Sequence, residues 1–185
     1  MNPFPSCIGI FDSGVGGLSV LKALRQELPH ENLLYFSDSA FAPYGERSEQ
    51  EVVQRSEHIT ATLIQQGAKA LVIACNTATA AAVHHLRQHY PHLPIVGVEP
   101  ALKPASISSK TRQVGVLATQ RTLASQKFAN MLQNCSHNCH FHLRAATGLA
   151  LAIELGELGQ IKSLLIEHLK ALGDFGHGPG QIDTL

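Results

Sequence analysis

The chain of 185 residues carries 14 basic and 14 acidic side chains, so its formal net charge is zero when the histidines are neutral. This balance gives no field that would attract nucleic acid or an anionic membrane, and it favours a small-molecule partner. The 44% hydrophobic residues predict a globular protein, and no apolar run reaches membrane-spanning length. Residues 1–6 do not have the pattern of a secretory leader, and the four cysteines do not resemble a disulfide framework. We therefore expect a cytoplasmic protein with reduced thiols.

The first predicted unit is a strand, a glycine-rich turn and a helix. Residues 7–11 form a short apolar run, residues 12–17 carry three glycines, and leucines then recur at helical spacing. Such a turn lets a ligand approach the backbone, and the helix N-terminus offers N–H groups to an anion. The match to a dinucleotide fingerprint is only partial, and the charge of Asp12 would oppose a pyrophosphate but suit an ammonium group or a thiol.

Residues 32–38 predict a second strand, which a loop over residues 41–48 follows. Pro43 and Gly45 indicate a tight turn that either presents Tyr44 and nearby backbone N–H groups to a ligand or is an ordinary connection. Ser48 and Glu51 have the spacing of a capping box, which predicts the start of an amphipathic helix that ends near residue 67.

The third predicted unit is a buried strand, residues 70–74, that passes into an alanine-rich helix reaching about residue 90. Cys75 lies where the strand ends and the helix begins. The helix N-terminus favours a thiolate there, the form of cysteine that acts as base or nucleophile. A small buried cysteine is more often a core residue. Here Asn76, Thr77 and Thr79 add three hydrogen-bonding side chains, which is more than one cap requires.

A fourth strand over residues 95–98 ends at Glu99. Strands that alternate with helices predict a parallel sheet, and ligands bind at the carboxyl ends of such strands, where the polar residues of this chain accumulate. The expected fold class is α/β, with doubly wound, mostly parallel sheets.

A domain boundary is predicted near residue 100, which gives a first domain over 1–100 and a second, incomplete one over 101–185. The segment 102–112 is serine-rich and should be broken at Pro104. A new strand over 113–119 ends at Thr119, and one helix over the region of residues 123–132, a strand near 140–146 and a long helix near 161–172 follow. Residues 181–185 resemble the first half of another strand.

Two histidine-containing groups could suggest metal ligands, and we predict no metal site at either. Cys135, Cys139 and the histidines between 137 and 142 do not have the spacing of a closed tetrahedral set. His85 and His89 are four residues apart on a helix, but a solvated helix face explains them as well.

The sequence resembles the glutamate racemase family, the cofactor-independent enzymes that supply D-glutamate for peptidoglycan. The matching segments follow the family's order and spacing over most of the first two thirds of the chain: residues 11–18 (FDSGVGGL), 43–48 (PYGERS), 74–80 (ACNTATA), 97–101 (GVEPA) and 115–119 (GVLAT). Weaker similarity continues to residues 183–185.

The resemblance implies two α/β domains that face each other across a cleft, with one cysteine from each flanking the α-carbon of glutamate. Cys75 would abstract the α-proton of D-glutamate with assistance from Asp12. The remaining substrate-binding residues implied by the family are Asp12 itself, Ser13, Pro43, Tyr44, Gly45, Asn76, Thr77, Thr119 and Glu154. No cofactor is implied, and the oligomeric state stays open, a homodimer being one alternative.

Elementary chemistry agrees, because inversion through a planar carbanion needs a base on one face and an acid on the other. The matching segments contain no lysine that could hold a pyridoxal Schiff base. The family's second cysteine lies in a Cys-Thr-His motif a few residues beyond the segment that residues 183–185 resemble, and Cys7 is at the wrong end of its strand. We therefore expect a truncated racemase that does not racemise by itself. The alternatives are a non-catalytic module that binds a nucleotide or an amino acid, and a related racemase or decarboxylase with another substrate.

Overall fold

The computed structural model describes residues 6–137 and 139–185. The chain divides into two compact units, the first ending at Glu99 and the second beginning at Pro100. None of the helices in the described part of the chain is both long and apolar enough to cross a membrane.

The first unit is a parallel four-stranded sheet of order β2-β1-β3-β4 with helices on both faces. Its strands are β1 (Cys7–Asp12), β2 (Leu33–Ser37), β3 (Ala68–Ile73) and β4 (Ile95–Gly97), and its helices are α1 (Leu18–Glu27), α2 (Glu49–Gln65) and α3 (Asn76–His89), with short 3₁₀ turns at Ser39–Phe41 and Tyr44–Glu46. The predicted α/β class is confirmed. The alternation of strand and helix produces it, because a parallel pair needs a crossover between its strands.

The alternating side chains of β1 and β3 divide the core into two layers. Ile8 and Ile10 of β1 pack with Val72 of β3 against the apolar face of α1. Phe11 and Ile73 point the other way, into the layer covered by α2 and α3. Both faces of the central strands are therefore covered, and only the ends of these strands remain for ligand chemistry.

Helix α2 begins with the predicted capping box, which is confirmed. The Glu51 N–H donates to Ser48 Oγ at 3.2 Å, and the Ser48 N–H donates to a Glu51 carboxylate oxygen at 2.8 Å. The segment that leaves the helix turns at Gly67, whose φ of +96° lies in the left-handed region.

The second unit contains one parallel strand pair and five helices among its described residues. The strands are β5 (Gln113–Ala118) and β6 (His140–Ala145), and the helices are α4 (Leu102–Ser108), α5 (Gln120–Ala124), α6 (Gln126–Cys135), α7 (Leu149–Leu155) and α8 (Leu158–Leu172). Residues 181–185 do not form the strand that the sequence predicted. They make isolated bridges instead, one of which pairs Thr184 with Val114 of β5.

Two expectations for the second unit are wrong for local reasons. Pro104 does not break the chain, because it lies in the first turn of α4, where a backbone N–H has no helical partner to lose. The single helix expected over residues 123–132 is two helices, α5 and α6, since Ser125 leaves α5 in an extended conformation and its hydroxyl accepts from the Phe128 N–H to cap α6. The sequence interpretation also missed α7.

Candidate active site

The register of the first sheet brings the ends of β1 and β3 together. Phe11 pairs with Ile73, and the Ala74 N–H donates to the Phe11 carbonyl at 2.8 Å. The next residue after Phe11 is Asp12, and the next after Ala74 is Cys75. Residues more than 60 positions apart in the chain thus meet at one edge of the sheet.

Cys75 is the N-cap residue of α3 and is 7% exposed. Its backbone is extended (φ −104°, ψ 120°), and its sulfur accepts a hydrogen bond from the Ala78 N–H at 3.4 Å. The thiol lies 3.6 Å from Ser13 Oγ, to which it donates in its neutral form. A thiolate at this position would reverse that bond and accept from the hydroxyl.

The surroundings raise the pKa of Cys75 to about 11. Burial is the main cause, and the negative charge of Asp12 adds to it, while the hydrogen bonds from Ala78 and Ser13 act in the opposite direction. The Ala78 N–H at the helix N-terminus favours the thiolate in the predicted direction, but desolvation and the nearby carboxylate outweigh it, and the pKa is raised. The group is therefore a neutral thiol near neutral pH.

Asp12 is 6% exposed, and its carboxylate accepts a hydrogen bond from the Gly17 N–H at 2.8 Å. Space around Gly17 is so limited that a Cβ there would lie 2.6 Å from the Asp12 Cβ. The chain's own carboxylate thus occupies the glycine turn at the start of α1, the position that a pyrophosphate would need in a dinucleotide site. This arrangement disfavours the nucleotide-binding alternative.

The loop predicted to present Tyr44 instead buries it. Tyr44 is 1% exposed, and its hydroxyl donates to Asp38 at 2.5 Å. Its pKa is raised, first by burial and then by Asp38, and the charge of Cys75 contributes, so the ring lies within electrostatic reach of the thiol. Pro43, which follows a cis peptide bond, and Gly45 are half-buried beside it.

Arg55 of α2 is a residue of this region that the sequence interpretation missed. Its guanidinium holds the Asp38 carboxylate through two hydrogen bonds of 2.7 and 2.9 Å, and it stacks over the Phe41 ring at 3.9 Å from the centroid. A signal was present in the sequence: position 55 falls between Val52 and Ile59 on the buried stripe of α2, where an arginine needs a partner.

The other predicted residues are distributed over the two units. Asn76 is exposed and Thr77 is buried, both in the first turn of α3 directly after Cys75. Thr119 caps α5, where its hydroxyl accepts from the Thr122 N–H at 3.2 Å, and Glu154 is half-buried on α7. Within the first unit the structure therefore groups Asp12, Ser13 and Cys75, followed by Asn76 and Thr77, whereas Thr119 and Glu154 belong to the second.

Comparison with known proteins identifies the family of this chain and several similar glutamate racemases. A family model described as Asp/Glu/hydantoin racemase matches residues 8–177. A glutamate racemase from Stutzerimonas stutzeri (strain A1501) is 52% identical over 151 residues, a match that covers 82% of this chain and 57% of that protein.

Two solved structures are similar as well. Escherichia coli glutamate racemase, in complex with L-glutamate and the activator UDP-MurNAc-ala, has a TM-score of 0.79 at 32% identity, and the match covers 95% of this chain and 66% of that one. The Francisella tularensis glutamate racemase in complex with D-glutamate has a TM-score of 0.76 at 30% identity, with coverages of 91% and 64%. The chain thus spans 57 to 66% of the length of these three relatives.

Proposed function

The chain belongs to the Asp/Glu/hydantoin racemase family, and from this premise we propose that it carries the Cys75 half of a cofactor-independent glutamate racemase site. The observation that carries the proposal is the buried Cys75 thiol at the N-cap of α3, with Ser13 Oγ at 3.6 Å and the Asp12 carboxylate close enough to raise its pKa. The glutamate racemases in complex with L-glutamate and D-glutamate support the choice of substrate.

Cys75 is proposed to remove the α-proton of D-glutamate as a thiolate. The same negative charge of Asp12 that raises the pKa of the thiol attracts the α-ammonium group of an amino acid. An ammonium group bound there would neutralise the carboxylate's effect and would itself favour the thiolate, so that substrate binding and activation of the base are coupled. Ser13 would then donate its hydroxyl hydrogen to the sulfur, and the exposed Asn76 side chain is available for the substrate's carboxylates.

Inversion needs a second acid and base on the opposite face of the α-carbon. Cys7 does not supply it, because it lies at the other end of β1, roughly 16 Å from Asp12 along the strand. We propose that the 185-residue chain performs proton exchange on one face, and that the whole protein adds the second thiol that the family resemblance implies.

The biological role proposed is the supply of D-glutamate for peptidoglycan, in the cytoplasm. A thiol mechanism needs a compartment in which cysteines stay reduced, and all four cysteines of the chain are free. Pro43, Tyr44, Gly45, Thr77, Thr119 and Glu154 are retained as proposed substrate-site residues of the whole protein, with Tyr44 acting through its ring and the loop backbone because Asp38 holds its hydroxyl.

The test is solvent deuterium exchange at the α-carbon of D-glutamate by the 185-residue chain. We expect deuterium to enter with retained configuration and without L-glutamate, because one thiol serves one face. Cys75→Ser should abolish the exchange, whereas Cys7→Ser, a matched change of another buried cysteine in the same unit, should preserve it.

Exchange that survives Cys75→Ser would refute the assignment of the base, and appearance of L-glutamate would refute the one-face proposal. Calorimetry with D-glutamate and NAD separates the remaining alternative: binding of NAD without binding of glutamate would indicate a nucleotide module.

A further inference from the structure

A second group of chemically reactive side chains lies where α2 and α3 pack together. Glu57 projects from α2, and His85 and His89 project from α3. The two histidines are four residues apart, so they share one face of the helix one turn apart, and their rings stack with centroids 6.0 Å apart. Counted along α3, His85 lies about 15 Å from Cys75, so the group is separate from the candidate active site.

The distances within this group suit a metal ion. Each Nε2 lies 3.5 Å from a different oxygen of the Glu57 carboxylate, and the ligand atoms of the three residues all lie within 4.8 Å of one another. In a tetrahedral site with bonds of about 2.1 Å, neighbouring ligand atoms are separated by roughly 3.4 Å. Each 3.5 Å separation matches this length, but the two involve different carboxylate oxygens, so a tetrahedral site with one carboxylate oxygen as ligand requires a small rearrangement of these side chains.

One nitrogen of the group has an unmet hydrogen-bonding requirement. The His85 Nε2 atom is inaccessible to solvent, although 43% of the side chain is exposed, and it makes no hydrogen bond within the described chain; a Glu57 oxygen lies 3.5 Å away. A buried polar atom without a partner costs free energy, and a metal ion bound between the nitrogen and the carboxylate would satisfy both. The edge of the Tyr90 ring packs on His89 at 4.8 Å between centroids and restricts its orientation.

Contrary to the expectation from the sequence, we propose that Glu57, His85 and His89 form a binding site for a divalent first-row transition metal ion, with zinc as the preferred case. Two imidazoles and one carboxylate are ligands that Zn²⁺ binds well, with water completing the four-coordinate shell. The site joins α2 to α3, so its occupation stabilises the first unit, and it takes no part in proton transfer at Cys75.

The test is calorimetric titration of the 185-residue chain with Zn²⁺. We expect one equivalent to bind, with the affinity reduced at least tenfold by His89→Gln and by Glu57→Gln. His84→Gln is the matched control, since His84 is the same residue type on the same helix but is exposed and outside the group, and it should leave the affinity unchanged. Zn²⁺ should also raise the Tm of the first unit equally in the native chain and in His84→Gln, and by less in His89→Gln.

Cysteine thiols could bind zinc as well, and Co²⁺ in place of Zn²⁺ identifies the ligands. Nitrogen and oxygen ligation gives a spectrum without the intense sulfur-to-cobalt charge-transfer band, and that band would overturn the proposal. An affinity unchanged in His89→Gln, or no saturable binding, would overturn it too. His89 is the exposed last residue of α3, so this variant decides the question even if Glu57→Gln fails to fold.

Discussion

Replacing Gly17 by alanine should destabilise the first unit, because the added methyl group would collide with residues beside the candidate site. The backbone of Gly17 is helical (φ −66°, ψ −10°), so alanine is conformationally acceptable there. The added Cβ would nevertheless lie 2.6 Å from the Asp12 Cβ, 2.8 Å from the Tyr35 hydroxyl oxygen and 3.0 Å from the Ala74 Cβ. Two of these neighbours belong to the central strands or directly follow them, and neither can move without shifting backbone.

The expected loss is about 3 kcal/mol of unfolding free energy. Overpacking of this kind costs about 1–3 kcal/mol, and displacing the Gly17 N–H from the Asp12 carboxylate costs about 1.5–3 kcal/mol. The lower conformational entropy of the unfolded chain with alanine offsets about 0.4–1 kcal/mol of this loss. Gly16→Ala is the matched control, because its Cβ would meet only an Asp12 oxygen at 3.4 Å, and we expect its effect to stay below about 1 kcal/mol.

Urea unfolding followed by tyrosine fluorescence measures the unfolding free energy of the first unit. The chain has no tryptophan, and its three tyrosines, at positions 35, 44 and 90, all lie in the first unit. With an m value of about 1.5 kcal/mol/M, Gly17→Ala should lower the midpoint by about 2 M. Equal midpoints for the Gly16 and Gly17 variants would refute the steric reasoning.

Two further predictions concern charge in the same unit. Arg55→Met leaves the buried Asp38 carboxylate without its charged partner and should cost about 3 kcal/mol in the same urea assay. Lys69→Met, which removes an exposed ion pair, should cost less than about 1 kcal/mol, and similar losses in the two variants would contradict a special role for the buried pair. The pKa of Cys75 is raised from about 9 to about 11 in the folded chain, so between these pH values the unfolded chain releases a proton that the folded one keeps. Stability should therefore fall as pH rises, by about 1 kcal/mol at pH 10. Cys75→Ser should remove this part of the pH dependence, and parallel curves for the two proteins would show that the thiol ionises normally.

The sequence predicted those parts of the fold that depend on neighbouring residues. All six strands, β1 to β6, were predicted from the sequence, and the capping box of α2 was predicted from two residues three positions apart. The juxtaposition of Asp12 and Cys75 follows from the same logic, because both come directly at the ends of parallel strands. Their catalytic roles stay predictions.

The sequence did not predict features that depend on contacts between distant segments, or on two local effects that act in opposite directions. The raised pKa of Cys75 was not predicted, because it arises first from burial of the thiol and then from the charge of Asp12, a residue 63 positions earlier. The pairing of Arg55 with Asp38 also depends on tertiary packing. In the second unit, Ser125 ends α5 and caps α6, and this helix boundary is not visible in the spacing of the apolar residues.

The hydrogen bond between Cys75 and Ser13 joins residues 62 positions apart, and this separation has a consequence for folding. Neither segment holds the thiol's environment alone, so it forms only when the intervening loop, which includes β2 and α2, closes and β1 docks beside β3. Closing so long a loop costs entropy before any contact repays it, which makes this a slow, non-local step. Before β1 docks beside β3, Cys75 is an ordinary accessible thiol. The rate at which Cys75 becomes protected from an alkylating reagent during refolding therefore measures the rate at which the site forms.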